Sequence, residues 1–159
     1  MEIKVSLSLP RDSVSVSVVR RLMSQSLRTL QVADDCIEDI ATALSEACTN
    51  VLLHAASGDD YFVSAGIDGE RCVIEVVDKG HGFDSSSLAL LTATPTAEQG
   101  RGMLLMQHLV DKITFTNRPE AGTIVHMEKA LRWASADALG KRLDQEDGER
   151  PATARPAYG

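Results

Sequence analysis

The stretch Asp34–Ala56, DDCIEDIATALSEACTNVLLHAA, decides the fold. Ile37, Ile40, Ala41, Leu44, Cys48, Val51, Leu52 and Ala55 recur at helical spacing and predict one continuous apolar face. Asp34 and Asp35 suit the positive end of the helix dipole, and Gly58 stops the helix. A helix this apolar must be covered by another layer.

The flanking sequence supplies that layer. Upstream, Glu2–Leu9 alternates strictly, so Ile3, Val5, Leu7 and Leu9 share one face of a half-buried strand that Pro10 ends. Asp12 or Ser13 can cap a further helix to about Leu30. Its stripe is Val18, Val19, Leu22, Met23, Ser26, Leu27 and Leu30, with the Val14–Val16–Val18 alternation leaving the first turn ambiguous. Downstream, strands Tyr61–Ile67 and Cys72–Asp78 meet at the hairpin dipeptide Asp68-Gly69. A Gly/Ser-rich stretch begins at Lys79, and residues 92–102 read as a mobile loop with few apolar anchors. A short helix, Met103–Val110, and two strands, Lys112–Asn117 and Thr123–Lys129, complete the pattern. Helices segregated from a mixed, mostly antiparallel sheet imply an α+β two-layer sandwich with the helices on one face. Residues 1–133 form the expected domain, and residues 134–159 are polar enough to be a disordered tail or a weak helix with a tail.

Composition narrows the function classes. The chain has 159 residues, 23 acidic and 16 basic side chains and a net charge of −7, which suits one acidic domain. Hydrophobic residues make up 43% but aromatics only 4%, so the core must be aliphatic. No apolar run is long enough to span a bilayer, no secretory pattern opens the chain, and the acidity argues against a nucleic-acid binder. Cys36, Cys48 and Cys72 are odd in number and widely spaced, which excludes a disulfide framework or zinc site and makes them small core residues of a cytoplasmic protein. His54, His81, His108 and His126 are too scattered to suggest a metal centre.

Three short motifs carry chemistry. Glu46 and Asn50 lie four apart on the strong helix, so their side chains are neighbours. Asp78-Lys-Gly-His-Gly82 follows a strand: the aspartate can accept from an exocyclic amine such as adenine presents, and Gly80 and Gly82 let the backbone approach a flat ligand. Gly100-Arg101-Gly102 feeds the Met103 helix, whose free N–H groups and dipole suit phosphate, with Arg101 adding charge. Taken singly, each has a plain structural explanation. Glu46 points away from Ile37 toward what would be a solvated face; the two glycine motifs would be turns; and Met103 and Met106 would be core.

Together the motifs resemble the GHKL ATPase superfamily of gyrase-type ATPases, Hsp90, histidine kinases and MutL. The resembling segments are Ala43–Ala55 with Glu46 and Asn50, Asp78–Phe83, Gly100–Met106 and the closing Gly122-Thr123. The resemblance covers about residues 2–131 and is nearest to bacterial anti-sigma factor serine-protein kinases, regulators of stress response and sporulation. It implies a Bergerat-type ATP-binding fold using ATP and Mg²⁺. Asn50 would hold Mg²⁺, and Glu46 would orient or deprotonate the attacking hydroxyl. Asp78 would bond the adenine amine, with Thr123 supporting it through water. Gly80 and Gly82 would admit base and sugar. Residues 92–102 would be the ATP lid, with the amides of Gly100, Arg101, Gly102 and Met103 on the phosphates. Kinase-active members often carry a basic residue just before the glycine pair, where this sequence has Glu98 and Gln99.

The implied function is a serine/threonine kinase that phosphorylates an anti-sigma-factor antagonist and sequesters a sigma factor. A homodimer through the N-terminal strand and first helix is expected, with no direct nucleic-acid or membrane partner. A catalytically weak module that holds nucleotide and acts by partner exchange, or a regulator of a non-sigma target, remains the alternative.

Overall fold

A computed structural model describes residues 2–54, 60–78, 98–118 and 122–135. In chain order the elements are β1 (Ile3–Leu9), α1 (Ser13–Thr29), α2 (Asp34–His54), β2 (Tyr61–Ile67), β3 (Arg71–Asp78), α3 (Glu98–Leu109), β4 (Lys112–Arg118) and β5 (Gly122–Ala130). The strands form one sheet in the order β1-β2-β3-β5-β4. Every pairing in it is antiparallel, so the described sheet is not mixed.

Strand alternation puts one apolar face of the sheet against the helices. Val63 lies opposite Val76 and Ala65 opposite Ile74; Val76 and Ile74 in turn face Val125 and Met127 of β5. These six residues are buried together with Met23 and Leu27 of α1, Ile37, Ile40 and Leu44 of α2, and Met106 of α3. The core is aliphatic, as the composition requires, and all three cysteines are buried free thiols within it.

Sequence and structure can also be compared along the chain. The β2–β3 connection spans residues 68–70, at the Asp68-Gly69 dipeptide that the sequence marks. Asp68 sets its shape: Oδ1 accepts from the amides of Glu70 and Arg71 at 2.7 and 2.8 Å, which lowers its pKa. In α1, Asp12 is the N-cap, its carboxylate accepting from Val14 N at 2.9 Å, and the first turn is helical. The predicted stripe of α1 is too wide, however. Val19, Met23 and Leu27 are buried, whereas Val18 and Leu22 are 50% and 38% exposed. Periodicity marks residues suited to burial, but one neighbouring layer covers only one side of the helix. Finally, the segment after β5 returns to the α1–α2 junction, where Ala33 N donates to Arg132 O and Ala134 N to Gln31 O.

One tie positions both helices that matter below. Lys129 of β5 donates through Nζ to Leu109 O at the end of α3, at 2.6 Å, and pairs with Asp39 of α2 at 3.0 Å. Its side chain is largely buried, so the cation satisfies a helix-terminal carbonyl where the dipole favours it. Lys129→Met should therefore lower unfolding free energy by about 1.5–3 kcal/mol, the range for hydrogen bonds to charged groups. Urea denaturation checks this, and an unchanged midpoint would show that the tie contributes nothing.

Candidate nucleotide site

The site begins where α3 meets α2. Ala43 and Ala47, on the Glu46 side of α2, are 1% and 0% exposed. That side is not solvated: α2 packs against α1, the sheet and α3, and α3 lies on the Glu46 side. Glu46 and Asn50 are half-buried beside the seam.

Gly102 is the contact point. A Cβ built there would lie 2.7 Å from Glu46 Oε2 and 3.7 Å from Asn50 Oδ1. The first distance is shorter than real Cβ contacts, so only glycine lets α3 approach this closely with Glu46 in place. The helix also starts earlier than its sequence suggests. It runs from Glu98, so Gly100 and Gly102 sit inside its first turns rather than before it. Glycine's low helix propensity hides this in the sequence, and packing against α2 overrides it. Among the described residues, the N–H groups that helix geometry leaves without intrahelical partners are consequently those of residues 98–100, ahead of Gly102 and Met103. Met103 and Met106 are buried, and Arg101 is exposed beside the helix start.

The second half of the site lies at the end of β3. Asp78 continues the helix-facing alternation of Ile74 and Val76 and is only 9% exposed. Thr123 of β5 lies directly opposite it in register, and Tyr61 of β2 opposite it on the other side. Arg11, in the turn between β1 and α1, forms an ion pair with Asp78 Oδ1 through Nη2. Through Nη1 the same guanidinium donates to Val51 O, the residue after Asn50, at 3.2 Å. Arg11 thus joins the purine-reading candidate to the helix carrying Glu46 and Asn50. Sequence reasoning missed it: an isolated arginine after a proline has no pattern, and its partner lies 67 positions away.

A buried polar chain supports this corner. Ser15 Oγ donates to Asp12 O at 2.6 Å and so accepts from Tyr61 Oη at 2.7 Å. Cys48 is hydrogen-bonded to Tyr61 in turn. Burial, the largest cause in each case, pushes the Cys48 thiol and the Tyr61 phenol up to about 12. Cys48, between Glu46 and Asn50 in sequence, is therefore no nucleophile.

The structure thus brings Glu46, Asn50, Gly100, Arg101, Gly102 and Met103 to one seam, and Asp78 and Thr123 to the adjoining strand ends. Gly80, Gly82, His81 and residues 92–97 of the expected lid lie outside the described residues. His108 is on α3, its ring nitrogen near Leu104 O, and His126 sits between Glu75 and Glu128 on the opposite sheet face. Among the described residues no cluster of three His, Cys, Asp or Glu side chains could hold a metal by itself.

The Gly102 contact yields a separable prediction. A methyl group there meets a flexible carboxylate end, and alanine favours helix by about 1 kcal/mol over glycine. Gly102→Ala should leave stability within about 1 kcal/mol of wild type. It should weaken Mg-nucleotide binding by about tenfold, or 1.4 kcal/mol, by displacing Glu46 from the seam. Calorimetric titration beside thermal melting checks both halves, and wild-type affinity in the variant would contradict the account.

Comparison with known proteins bears on the family and the fold. A family profile described as a histidine kinase-like ATPase domain matches residues 9–129. The serine-protein kinase RsbW of Halalkalibacterium halodurans is 32% identical over 149 residues, covering 88% of this chain and 89% of its own. The anti-sigma F factor of a Thermoanaerobacter species is 31% identical over 133 residues, covering 80% and 93%. Among solved structures, the RsbU and RsbW domains of Rv1364c from Mycobacterium tuberculosis superpose with a TM-score of 0.64 at 18% identity. That match covers 83% of this chain and 34% of the other, and it bears on the fold alone. The profile spans most of the chain, and the chain belongs to the histidine kinase-like ATPase domain family, alongside relatives named RsbW and anti-sigma F factor.

Proposed function

We propose that this protein binds Mg-ATP, transfers the γ-phosphoryl group to a serine or threonine of a small anti-sigma-factor antagonist, and sequesters a sigma factor. The observation that carries the reading is the seam at Gly102. There a carboxylate and an amide oxygen of α2 lie against the first turns of α3, with Asp78 one strand end away. The relatives' names, serine-protein kinase and anti-sigma F factor, support a protein serine as acceptor and a sigma factor as partner, and the antagonist is what the family resemblance implies.

Each described residue has a role that its position supports. Asp78 accepts from the adenine amine, with Thr123 beside it. For Gly80 and Gly82, outside the described residues, admitting base and sugar is what the family resemblance implies. The amides at the start of α3, with Arg101, meet the phosphates. Asn50 Oδ1 and Glu46 Oε2 are hard oxygen donors on one side of the seam, a donor set that fits Mg²⁺. Asn50 would hold the ion, which when bound neutralises phosphate charge. Glu46 would accept the proton of the attacking hydroxyl. Phosphoryl transfer asks mainly for positioning and charge neutralisation, and fixed helices supply positioning.

A homodimer suits the outer surface. Val14, Val18 and Leu22 are 62%, 50% and 38% exposed on α1 and, with Ile3, line a groove of about 690 Å³. β1 is the outer strand of the described sheet beside them. A second copy would cover both. The acidic surplus, six charges within residues 1–133, suits a basic sigma factor, and a cytoplasmic location follows from that partner.

Transfer of labelled γ-phosphate to a cognate antagonist tests the kinase. Glu46→Gln should keep nucleotide affinity but lose transfer by roughly 10²–10⁴-fold, the usual worth of a general base. Asn50→Ala should lose Mg-nucleotide affinity itself. A wild type that holds ATP yet transfers nothing would favour a partner-exchange module, consistent with Glu98 and Gln99 where kinase-active relatives often have a basic residue. In sedimentation equilibrium, Val18→Glu should shift the protein from dimer to monomer, and an unshifted mass would place the interface elsewhere.

A further inference from the structure

We propose that Lys129 and Asp39 are positioning residues for the nucleotide: together they set the register of α3 along α2, and so hold the start of α3 at the reach that phosphate binding needs. The inference deepens the nucleotide-site reading above and rests on it.

The α3 side of α2 is one stripe. Asp39, Ala43, Glu46, Ala47 and Asn50 recur at helical spacing, so they lie along one face. Two contacts along that stripe fix how α3 runs. Gly102 lies against Glu46 and Asn50. Lys129 Nζ links Asp39 Oδ2, at 3.0 Å, to Leu109 O, at 2.6 Å. α3 is therefore antiparallel to α2. Asp39 and Glu46 are seven positions apart, and so are Gly102 and Leu109. A rise of about 1.5 Å per residue puts the two contacts about 10 Å apart on both helices. The tie and the site thus sit at opposite ends of one seam, in matched register.

The middle of the seam does little to hold that register. Packed helices fix their axial position when side chains of one interlock with gaps in the other. Ala43 and Ala47 are small, and Gly102 has no side chain to interlock. Met103 and Met106 are buried, but an unbranched thioether adapts to a shift. Such a seam tolerates a slide. The Lys129 tie does not. Its side chain is only 14% exposed, and the ammonium is held between a carboxylate of α2 and a last-turn carbonyl of α3, where the helix dipole favours a cation. It is carried by β5, which also holds the chain leaving α3: Asp111 N donates to Glu128 O at 2.9 Å, and Ala130 N to Asp111 Oδ2 at 2.6 Å. With that end fastened, the first-turn amides of α3 fall at a set distance from Glu46 and Asn50. Asp78, the base-reading candidate, is carried by β3 and does not ride on α3. Loss of the tie should therefore cost phosphate binding and spare the base.

The experiment compares affinities for Mg-ADP and for adenosine in the full chain by NMR titration, at a temperature where circular dichroism shows each variant fully folded. Lys129→Met should bind Mg-ADP about tenfold more weakly and Asp39→Ala about threefold, with adenosine affinity changed by less than about twofold in both. General destabilisation does not produce that split, because it leaves the affinity of the folded molecules for both ligands as it was. Asp39→Ala, which keeps Lys129 on Leu109 O, decides the matter if Lys129→Met does not fold. Wild-type Mg-ADP affinity in the folded variants, or adenosine affinity falling in step with that for Mg-ADP, overturns the proposal. A wild type that binds neither ligand removes the nucleotide-site reading itself, a different result from Mg-ADP binding that ignores the tie.

Discussion

The close approach of α3 to the Glu46 side of α2 is the constraint on which the rest of the site depends. It is possible only because small residues line the seam: Ala43 and Ala47 on α2, Gly102 on α3. An ordinary amphipathic helix leaves its polar side to water. Here α2 packs against α1, the sheet and α3, and Glu46 and Asn50 are caught at the edge of the contact with α3. Two polar residues that would otherwise be solvated become fixed, half-buried groups against a helix start. The packing that stabilises the domain is therefore also the packing that orients the Glu46 carboxylate.

The Asp78 corner follows a different logic. A buried ion pair is weak evidence of stability, since desolvating two charges offsets much of their attraction. What the Arg11 pair supplies is placement. One guanidinium connects the β1–α1 turn, the last third of α2 and the end of β3. Next to it, the Cys48–Tyr61–Ser15 chain satisfies buried polar groups from α2, β2 and α1 without adding a charge. Polar atoms are concentrated where three elements must keep a fixed relation, and the remaining core is aliphatic.

Much of the fold was legible because it depends on local pattern. Alternation located β1, β2 and β3 to within a residue or so, and the Ile37-to-Val51 periodicity located α2. What failed was information about partners. The α1 stripe was too wide because periodicity cannot say how many layers cover a helix. The start of α3 was hidden by two glycines whose low propensity tertiary contact overrides. For the candidate site, motif spacing singled out Glu46, Asn50 and Asp78 and the family resemblance added Thr123, whereas neither pointed to Glu46's buried-side environment or to Arg11. Both arise from contacts between residues more than fifty positions apart, which no single stretch of sequence encodes.

The reactive inventory that remains explains why position carries the chemistry here. Burial holds the Cys48 and Cys72 thiols up near 12, far from a nucleophile's range. The exposed charges, such as Glu128 with Lys112, Arg71 and His126, are paired on the sheet face away from the helices. Neither group serves the seam. What the seam offers is a carboxylate, an amide oxygen, a helix start and a strand-end aspartate, each held by packing and none intrinsically reactive. Such a set suits a reaction in which substrate and metal bring the reactivity and the protein brings alignment. The acidic exterior is then available for recognising partners, a role separable from the chemistry at the seam.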